Sequence, residues 1–124
     1  MKFEKIIIGQ RHAENLEGIK KMISENLPEL LEKCIFTSSP STLVEQGRIS
    51  GKSIMIIGTV YENSMRGSEI AERVKQFNSE AQIFQYSTCP QDSDYFDGTI
   101  YKRDGTCHSG EHAAIIDFLQ KNKD

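Results

Sequence analysis

Three short, uninterrupted apolar runs constrain the fold of this chain more than any other feature. They cover residues 6–8, 54–57 and 83–84, and each is followed within a few residues by small or polar side chains. Apolar runs without polar alternation are typical of strands buried on both faces of a parallel sheet. Small and polar residues after such runs are typical of strand ends at the ligand-binding edge of an α/β sheet.

Segments with helical spacing separate the predicted strands. Strands are predicted over residues 5–8, 33–37, 53–57, 82–86 and 99–102. The first two helices are predicted over residues 15–27 and 42–48. The third ends at residues 78–79, and its inner face holds Ile70, Ala71, Val74 and Phe77. The last follows a candidate N-cap at Ser109, and its inner face holds Ala113, Ile116 and either Leu119 or Phe118. This alternation predicts one α/β domain over residues 1–124, with helices on both faces of a parallel sheet.

One connection breaks the alternation. Residues 89–98 contain Pro90 and show little periodicity. The segment is shorter than a mean helix of about 11–12 residues with its loops. We therefore expect a loop or a single turn before the fifth strand.

Composition excludes several classes of function. The chain has 15 basic and 18 acidic residues, a net charge of −3 and no cluster of Lys or Arg, which argues against direct binding of nucleic acid. The isoleucines near the start are too few for a signal peptide or a membrane span, so we expect no membrane association and a cytoplasmic location. Cys34, Cys89 and Cys107 are odd in number and widely spaced, which favours reduced thiols over a disulfide framework.

Three local patterns resemble the receiver domain of bacterial response regulators. The segment 100–103 is similar to the family's fifth strand, which ends in a Lys that contacts the phosphoryl group, here Lys102. Ser87 and Thr88 follow the fourth strand, where the family has a Ser or Thr, and the segment 65–67 is similar to its Met-Asp-Gly turn. The resemblance implies a flavodoxin-like (CheY-like) three-layer sandwich with strand order 2-1-3-4-5, here with a shortened or missing fourth helix.

The residues that carry the family's chemistry are absent. The receiver's phosphorylated Asp ends the third strand, where this chain has Gly58 and Thr59, and neither can form an acyl phosphate. An acidic pair that holds Mg²⁺ follows the receiver's first strand, where this chain has Gln10 and Arg11 after Gly9. The chain therefore resembles a degenerate receiver, and we expect neither a metal nor a cofactor.

Seven residues are candidates for a vestigial phosphorylation site or an anion-binding site. They are Gln10, Arg11, Gly58, Thr59, Ser87, Thr88 and Lys102. A structural alternative is open for several of them. Lys102 could pair with Asp94, Asp97 or Asp104, and Ser87 and Thr88 could satisfy backbone groups. Arg11 could replace the charge of the lost metal, or it could be a solvated loop residue.

Two further sites are weaker candidates. Cys107, His108 and His112 have atoms that zinc prefers, but a closed zinc site needs four ligands, and no Cys-x-x-Cys pair is present. Cys89 follows the fourth strand and could act as a thiol nucleophile or merely close the strand.

These patterns predict a phosphorylation-independent, receiver-like signalling or regulatory module without enzymatic activity. It would act through contacts with proteins, such as a histidine kinase or an output protein, and a homodimer is also left open. The alternatives are a small-molecule or anion sensor at the seven candidate residues and a thiol enzyme that uses Cys89. Fold alone does not determine function, so this step is an analogy.

Overall fold

A five-stranded parallel sheet forms the centre of the protein. The computed structural model describes residues 3–59, 61, 65–88, 90–102 and 112–122. The strands are β1 (Lys5–Gly9), β2 (Cys34–Thr37), β3 (Ser53–Ile57), β4 (Gln82–Ser87) and β5 (Gly98–Tyr101). Their order is β2-β1-β3-β4-β5, and all neighbours are parallel. The predicted flavodoxin-like topology is confirmed.

Four α-helices accompany these strands in the described part of the chain. They are α1 (Ala13–Asn26), α2 (Pro40–Ile49), α3 (Gly67–Lys75) and α4 (Ala113–Asn122). Helix α1 ends at Asn26, and Pro28 then begins a 3-10 helix, Pro28–Lys33. Ser39 caps α2 by accepting a hydrogen bond from the Thr42 N–H at 3.3 Å. The described helices include none with the length and apolar character needed to cross a membrane.

The sheet separates two apolar cores because successive strand side chains point to opposite faces. Ile6 and Ile8 belong to one core with residues of α1 and α4, whereas Ile7 belongs to the other with residues of α2 and α3. All five residues of β3 are buried, so β3 is the central strand that its apolar sequence predicts. On α4, Leu119 is buried and Phe118 is only partly buried. Of the two residues that the sequence left as alternatives for the inner face, Leu119 therefore occupies it.

The link between β4 and β5 contains no helix in its described residues, 88 and 90–97. Phe96 packs against the core on the α2 and α3 side. Asp97 accepts a hydrogen bond from the Ile83 N–H at 2.7 Å and pairs with Lys75 at 2.9 Å. The link is therefore fixed at the amino ends of β4 and β5.

The prediction for Phe77 was wrong. We expected its side chain on the inner face of α3, but α3 ends at Lys75 and Phe77 is 63% exposed. The backbone turns at residues 76–77, so helical spacing no longer determines the direction of this side chain. Phe77 instead lies under the guanidinium of Arg48, which is 3.7 Å from the ring centroid.

Candidate functional site

The carboxyl ends of β1, β3, β4 and β5 surround a polar cavity of about 220 Å³, which we call the edge cavity. It is lined by Gln10, Arg11, His12, Asn15, Gly58, Thr59, Tyr86, Ser87, Thr88 and Lys102. The sheet register brings these residues together, because Gly9 pairs with Ile57, Ile57 pairs with Gln85, and Ser87 pairs with Tyr101. The residues that follow each strand therefore meet at one edge.

All seven residues that the sequence nominated for this edge line the same cavity. Their proximity is a structural finding, while their function stays a prediction. His12, Asn15 and Tyr86 line the cavity as well. His12 and Asn15 reach it because only three residues separate the end of β1 at Gly9 from the start of α1 at Ala13. Tyr86 is within β4, and the apolar pattern of this strand does not indicate that the tyrosine lines a cavity at the strand end.

The edge cavity is positively charged. Its lining includes Arg11 and Lys102 and contains no Asp or Glu among the residues that the structure describes. Within that part of the chain, neither cation has a carboxylate oxygen within 4.0 Å. The described lining of this edge therefore lacks the carboxylates that a receiver uses for phosphorylation and for Mg²⁺.

The two described acids that we considered as partners for Lys102, Asp94 and Asp97, do not lie at this edge. Asp97 pairs with Lys75 at the amino ends of the strands, so the alternative that Lys102 pairs with Asp97 is wrong. Asp94 is exposed and does not line the cavity. Asp104 lies outside the described residues.

Lys102 is positioned by β4. Its backbone N–H donates to the Ser87 carbonyl at 3.3 Å, and its ammonium group lies 5.1 Å from the centroid of the Tyr86 ring. Tyr86 is 2% exposed, and its hydroxyl is 2.9 Å from Nδ1 of His112. Lys102 thus makes a cation–π contact with the buried Tyr86 ring at the cavity, because the negative face of the ring attracts a cation.

Gln10 is the least expected residue of the cavity. Its backbone N–H donates to the Thr37 carbonyl at 3.3 Å, and the residue is only 3% exposed. Its side-chain Nε2 is buried and has no hydrogen-bond partner among the residues that the structure describes. The amide group lies beside Gly58, since a Cβ atom built on Gly58 would be 3.7 Å from Nε2. A buried amide donor without a partner is unfavourable, so its presence next to a cationic cavity needs an explanation.

Tyr61 fixes the strand ends beside the cavity, although no sequence pattern points to this role. Its hydroxyl donates to the Gly9 carbonyl at 2.9 Å and accepts from the Gly58 N–H at 2.8 Å. Burial raises the pKa of Tyr61 above its usual value, and the hydrogen bond from Gly58 opposes this only in part. The hydroxyl therefore keeps its proton and ties the ends of β1 and β3 together.

The Gly67 turn holds the loop after β3 against the strand end. The Gly67 N–H donates to the Thr59 carbonyl at 2.9 Å, and the Tyr61 N–H donates to the Met65 carbonyl at 2.7 Å. A Cβ atom on Gly67 would collide with the carbonyl oxygen of Gly58, which is backbone and cannot move aside easily. Any larger residue at position 67 of the predicted receiver-like turn would therefore clash with the backbone of Gly58.

The weaker site candidates lie largely outside the described residues. Cys107 and His108 of the metal hypothesis and Cys89 of the thiol hypothesis are in this group. Among the described residues, no three His, Cys, Asp or Glu side chains are grouped as metal ligands would be. His112 is 5% exposed, and its Nδ1 faces the Tyr86 hydroxyl.

Solved structures with the same fold include receiver domains. A signal receiver domain of an HD domain-containing protein from Pseudomonas fluorescens aligns with TM-score 0.68 and 10% identity, covering 98% of this chain and 87% of that one. A response regulator receiver protein from Dyadobacter fermentans aligns with TM-score 0.66 and 11% identity, covering 94% and 95%. A structure described as adenylate cyclase from Rhodopirellula baltica gives TM-score 0.68 and 10% identity, covering 96% and 86%.

Sequence comparison adds nothing to this likeness, because no protein-family model matches the chain and no curated protein matches it. At these low identities the structural likeness establishes the fold alone. The predicted resemblance to receiver domains is confirmed at that level.

Proposed function

Because the chain has the fold of receiver domains, we propose that it is a receiver-like signalling module that works without phosphorylation. In this proposal it is a cytoplasmic, non-enzymatic protein that acts by binding another protein, such as a histidine kinase or an output protein. The observation that carries the proposal is the charge of the edge cavity. Arg11 and Lys102 line it, and no carboxylate does so among the described residues.

The chemistry of phosphoryl transfer supports this proposal. Transfer to a receiver needs a carboxylate nucleophile and a divalent cation that neutralises the charge of the phosphoryl group. Gly58 and Thr59 follow β3, and Arg11 follows β1. A guanidinium at this position repels Mg²⁺ instead of binding it. A module of this kind would present one fixed surface to its partner instead of switching between two.

Phosphodonor treatment tests the proposal. Incubation with acetyl phosphate and Mg²⁺ should leave the intact mass unchanged, and beryllofluoride with Mg²⁺ should leave the backbone amide NMR spectrum unchanged. The reason is that none of the described residues that line the cavity with Lys102 is a carboxylate. A mass increase of one phosphoryl group, mapped to an Asp near the edge cavity, would contradict the proposal.

A designed variant separates the two missing parts of the chemistry. Thr59→Asp places a carboxylate after β3 but leaves Gln10 and Arg11 where the metal ligands would be. This variant should also stay unmodified, because the transferring phosphoryl group still lacks its cation. The triple variant Gln10→Asp, Arg11→Asp and Thr59→Asp is the matched control, since it supplies both parts and should gain acetyl phosphate reactivity if it folds.

A further inference from the structure

We propose that the edge cavity binds a small tetrahedral oxyanion of the inorganic phosphate or sulfate class, reversibly and without covalent chemistry. The inference goes beyond the signalling proposal, because it holds whether or not the protein acts through a partner. It rests on an unpartnered buried donor, on the charge of the lining and on the distribution of donors around the cavity.

The unpartnered donor is Nε2 of Gln10. This atom is buried and has no hydrogen-bond partner within the described part of the chain, although Gln10 lines the cavity and is only 3% exposed. Buried amide groups in folded proteins nearly always have a partner, because an unpaired one loses its hydrogen bonds to water without replacement. When the side-chain amide turns toward the cavity, an acceptor atom there would supply the missing partner.

The charge of the lining selects an anion. Arg11 and Lys102 line the same small cavity, and their mutual repulsion is reduced when a negative charge lies between them. None of the described lining residues is acidic, so this charge does not come from the described protein itself. Hydrogen bonds between charged groups are stronger than neutral ones, which makes an oxyanion favourable here.

The distribution of donors favours a tetrahedral anion over a planar carboxylate. Gln10 and Arg11 follow β1, Thr59 follows β3, Thr88 follows β4 and Lys102 follows β5. Donors thus approach the cavity from four strand ends. A carboxylate has two oxygens in one plane, whereas a phosphate or sulfate offers four oxygens that point in different directions.

The cavity volume limits the size of the ligand. The volume of about 220 Å³ corresponds to several waters at about 30 Å³ each. Pockets for drug-sized ligands are larger, about 300–1,000 Å³. The edge cavity therefore fits an oxyanion with a few waters and does not enclose a nucleotide or a flavin.

Titration of the whole chain with inorganic phosphate tests the proposal. Phosphate and, separately, sulfate are added at constant ionic strength against chloride while amide shifts and the melting temperature are followed. Saturable shifts are expected at the backbone amides of Gln10, Gly58, Thr59 and Lys102, together with a rise in melting temperature by mass action. A linear, unsaturable response equal to that of chloride would overturn the proposal.

Charge variants locate the site. Arg11→Gln and Lys102→Ala should each weaken phosphate binding by about tenfold or more, because each removes a charge-assisted hydrogen bond. Lys20→Ala is the matched control, since Lys20 is an exposed residue of α1 that does not line the cavity and its loss changes the net charge equally. Equal phosphate affinity in wild type, Lys102→Ala and Arg11→Gln would reject the site.

Gln10→Leu gives a readout that a purely structural role would not produce. Leucine has a similar size but no donor, so without phosphate the variant should melt at the same temperature as wild type or higher. With phosphate the order should reverse, because the variant loses a hydrogen bond to the anion. The same melting difference with and without phosphate would show that Gln10 does not contact the ligand.

Two controls separate the alternatives. Glycerol 3-phosphate carries the same group on a larger molecule, and weaker binding than inorganic phosphate is expected if the cavity takes the free anion. If the side chain of Glu62 or Asp104 occupies the cavity instead, inorganic phosphate will not saturate, and the proposal fails. Acetyl phosphate labelling is measured separately, so failure of the signalling proposal and failure of the anion site remain distinguishable.

Discussion

A single tyrosine hydroxyl joins the ends of β1 and β3 beside the edge cavity. Tyr61 is 1% exposed, and its hydroxyl bridges the Gly9 carbonyl and the Gly58 N–H. The Gly58 N–H also donates to the Gly9 carbonyl at 3.1 Å, so the three groups form one small network. In a receiver this region carries the phosphorylated side chain, whereas here it carries a protonated phenol that holds the backbone in place.

Removing this hydroxyl should lower stability without unfolding the protein. Tyr61→Phe is expected to reduce the free energy of unfolding by about 1–2 kcal/mol, because two buried hydrogen bonds are lost while the Gly58 N–H keeps its bond to Gly9. Urea unfolding followed by circular dichroism measures the change. Tyr101→Phe is the control, since Tyr101 is 43% exposed and its change should stay within about 0.5 kcal/mol. Equal effects of the two substitutions would contradict the role of Tyr61.

The buried thiol of Cys34 predicts both a reactivity and a pH dependence. Burial raises the pKa of Cys34 to about 12 from an ordinary value of 9.0, and its Sγ donates to the Leu30 carbonyl at 3.3 Å. At about pH 8, iodoacetamide should therefore modify Cys34 slowly in the folded protein and readily in denaturant. Peptide mapping distinguishes Cys34 from the other two cysteines.

The same shift sets the sign of the pH effect. The folded state keeps the Cys34 proton to higher pH than the unfolded state, so its contribution to stability is complete below pH 9 and is lost as pH rises toward about 12. Cys34→Ala should show a shallower decline of unfolding free energy in this range, with a remainder from Tyr61, whose pKa is also raised. Identical pH profiles for variant and wild type would show that Cys34 does not contribute.

At the scale of elements, α3 shows where helical periodicity stops being informative. Ile70, Ala71 and Val74 are fully buried against the sheet, as their spacing predicts. Phe77 continues the same spacing but follows the helix end, and it is exposed. A periodic pattern therefore locates the inner face of a helix without locating its last turn.

Two substitutions on this segment should separate buried from exposed positions. Ile70→Ala is expected to cost about 2–5 kcal/mol of unfolding free energy, because it leaves a cavity in the core. Phe77→Ala should cost at most about 1 kcal/mol, which is the size of the stacking interaction with Arg48. Urea titrations of both variants give the comparison. A cost for Phe77→Ala as large as that for Ile70→Ala would mean that Phe77 is buried in solution.

Physical reasons decide which parts of the fold and the site were predictable from the sequence. The meeting of Gln10, Thr59 and Lys102 was predictable, because the carboxyl ends of parallel strands share an edge. Tyr61 was not, because side chains in loops have no period from which a direction can be inferred. That Nε2 of Gln10 has no partner among the described residues was equally hidden, since this depends on side-chain positions in three dimensions.

At the scale of the whole molecule, the link before β5 distinguishes this protein from a sheet covered evenly by helices. β2 and β5 are the two edge strands. Helices precede and follow β2 along the chain, whereas β5 is preceded by a link without a helix in its described residues. Phe96 covers part of the core there, and Asp97 holds the link to Lys75 and to the start of β4.

This asymmetry predicts the order in which the sheet opens. Amides of β1 and β3 should exchange with deuterium most slowly, because both strands are paired on two sides and, unlike β4, do not border β5. Amides of β5 should exchange fastest among the strands, since β5 has one neighbour and the link gives it less cover than a helix would. Strand β2 is the internal control, because it is also an edge strand but is flanked by helices. Native-state hydrogen exchange read by NMR gives the opening free energy of each amide. Equal protection of β2 and β5 would show that edge position alone governs opening. Protection of β5 equal to that of β3 would show that the link stabilises the sheet as well as a helix does.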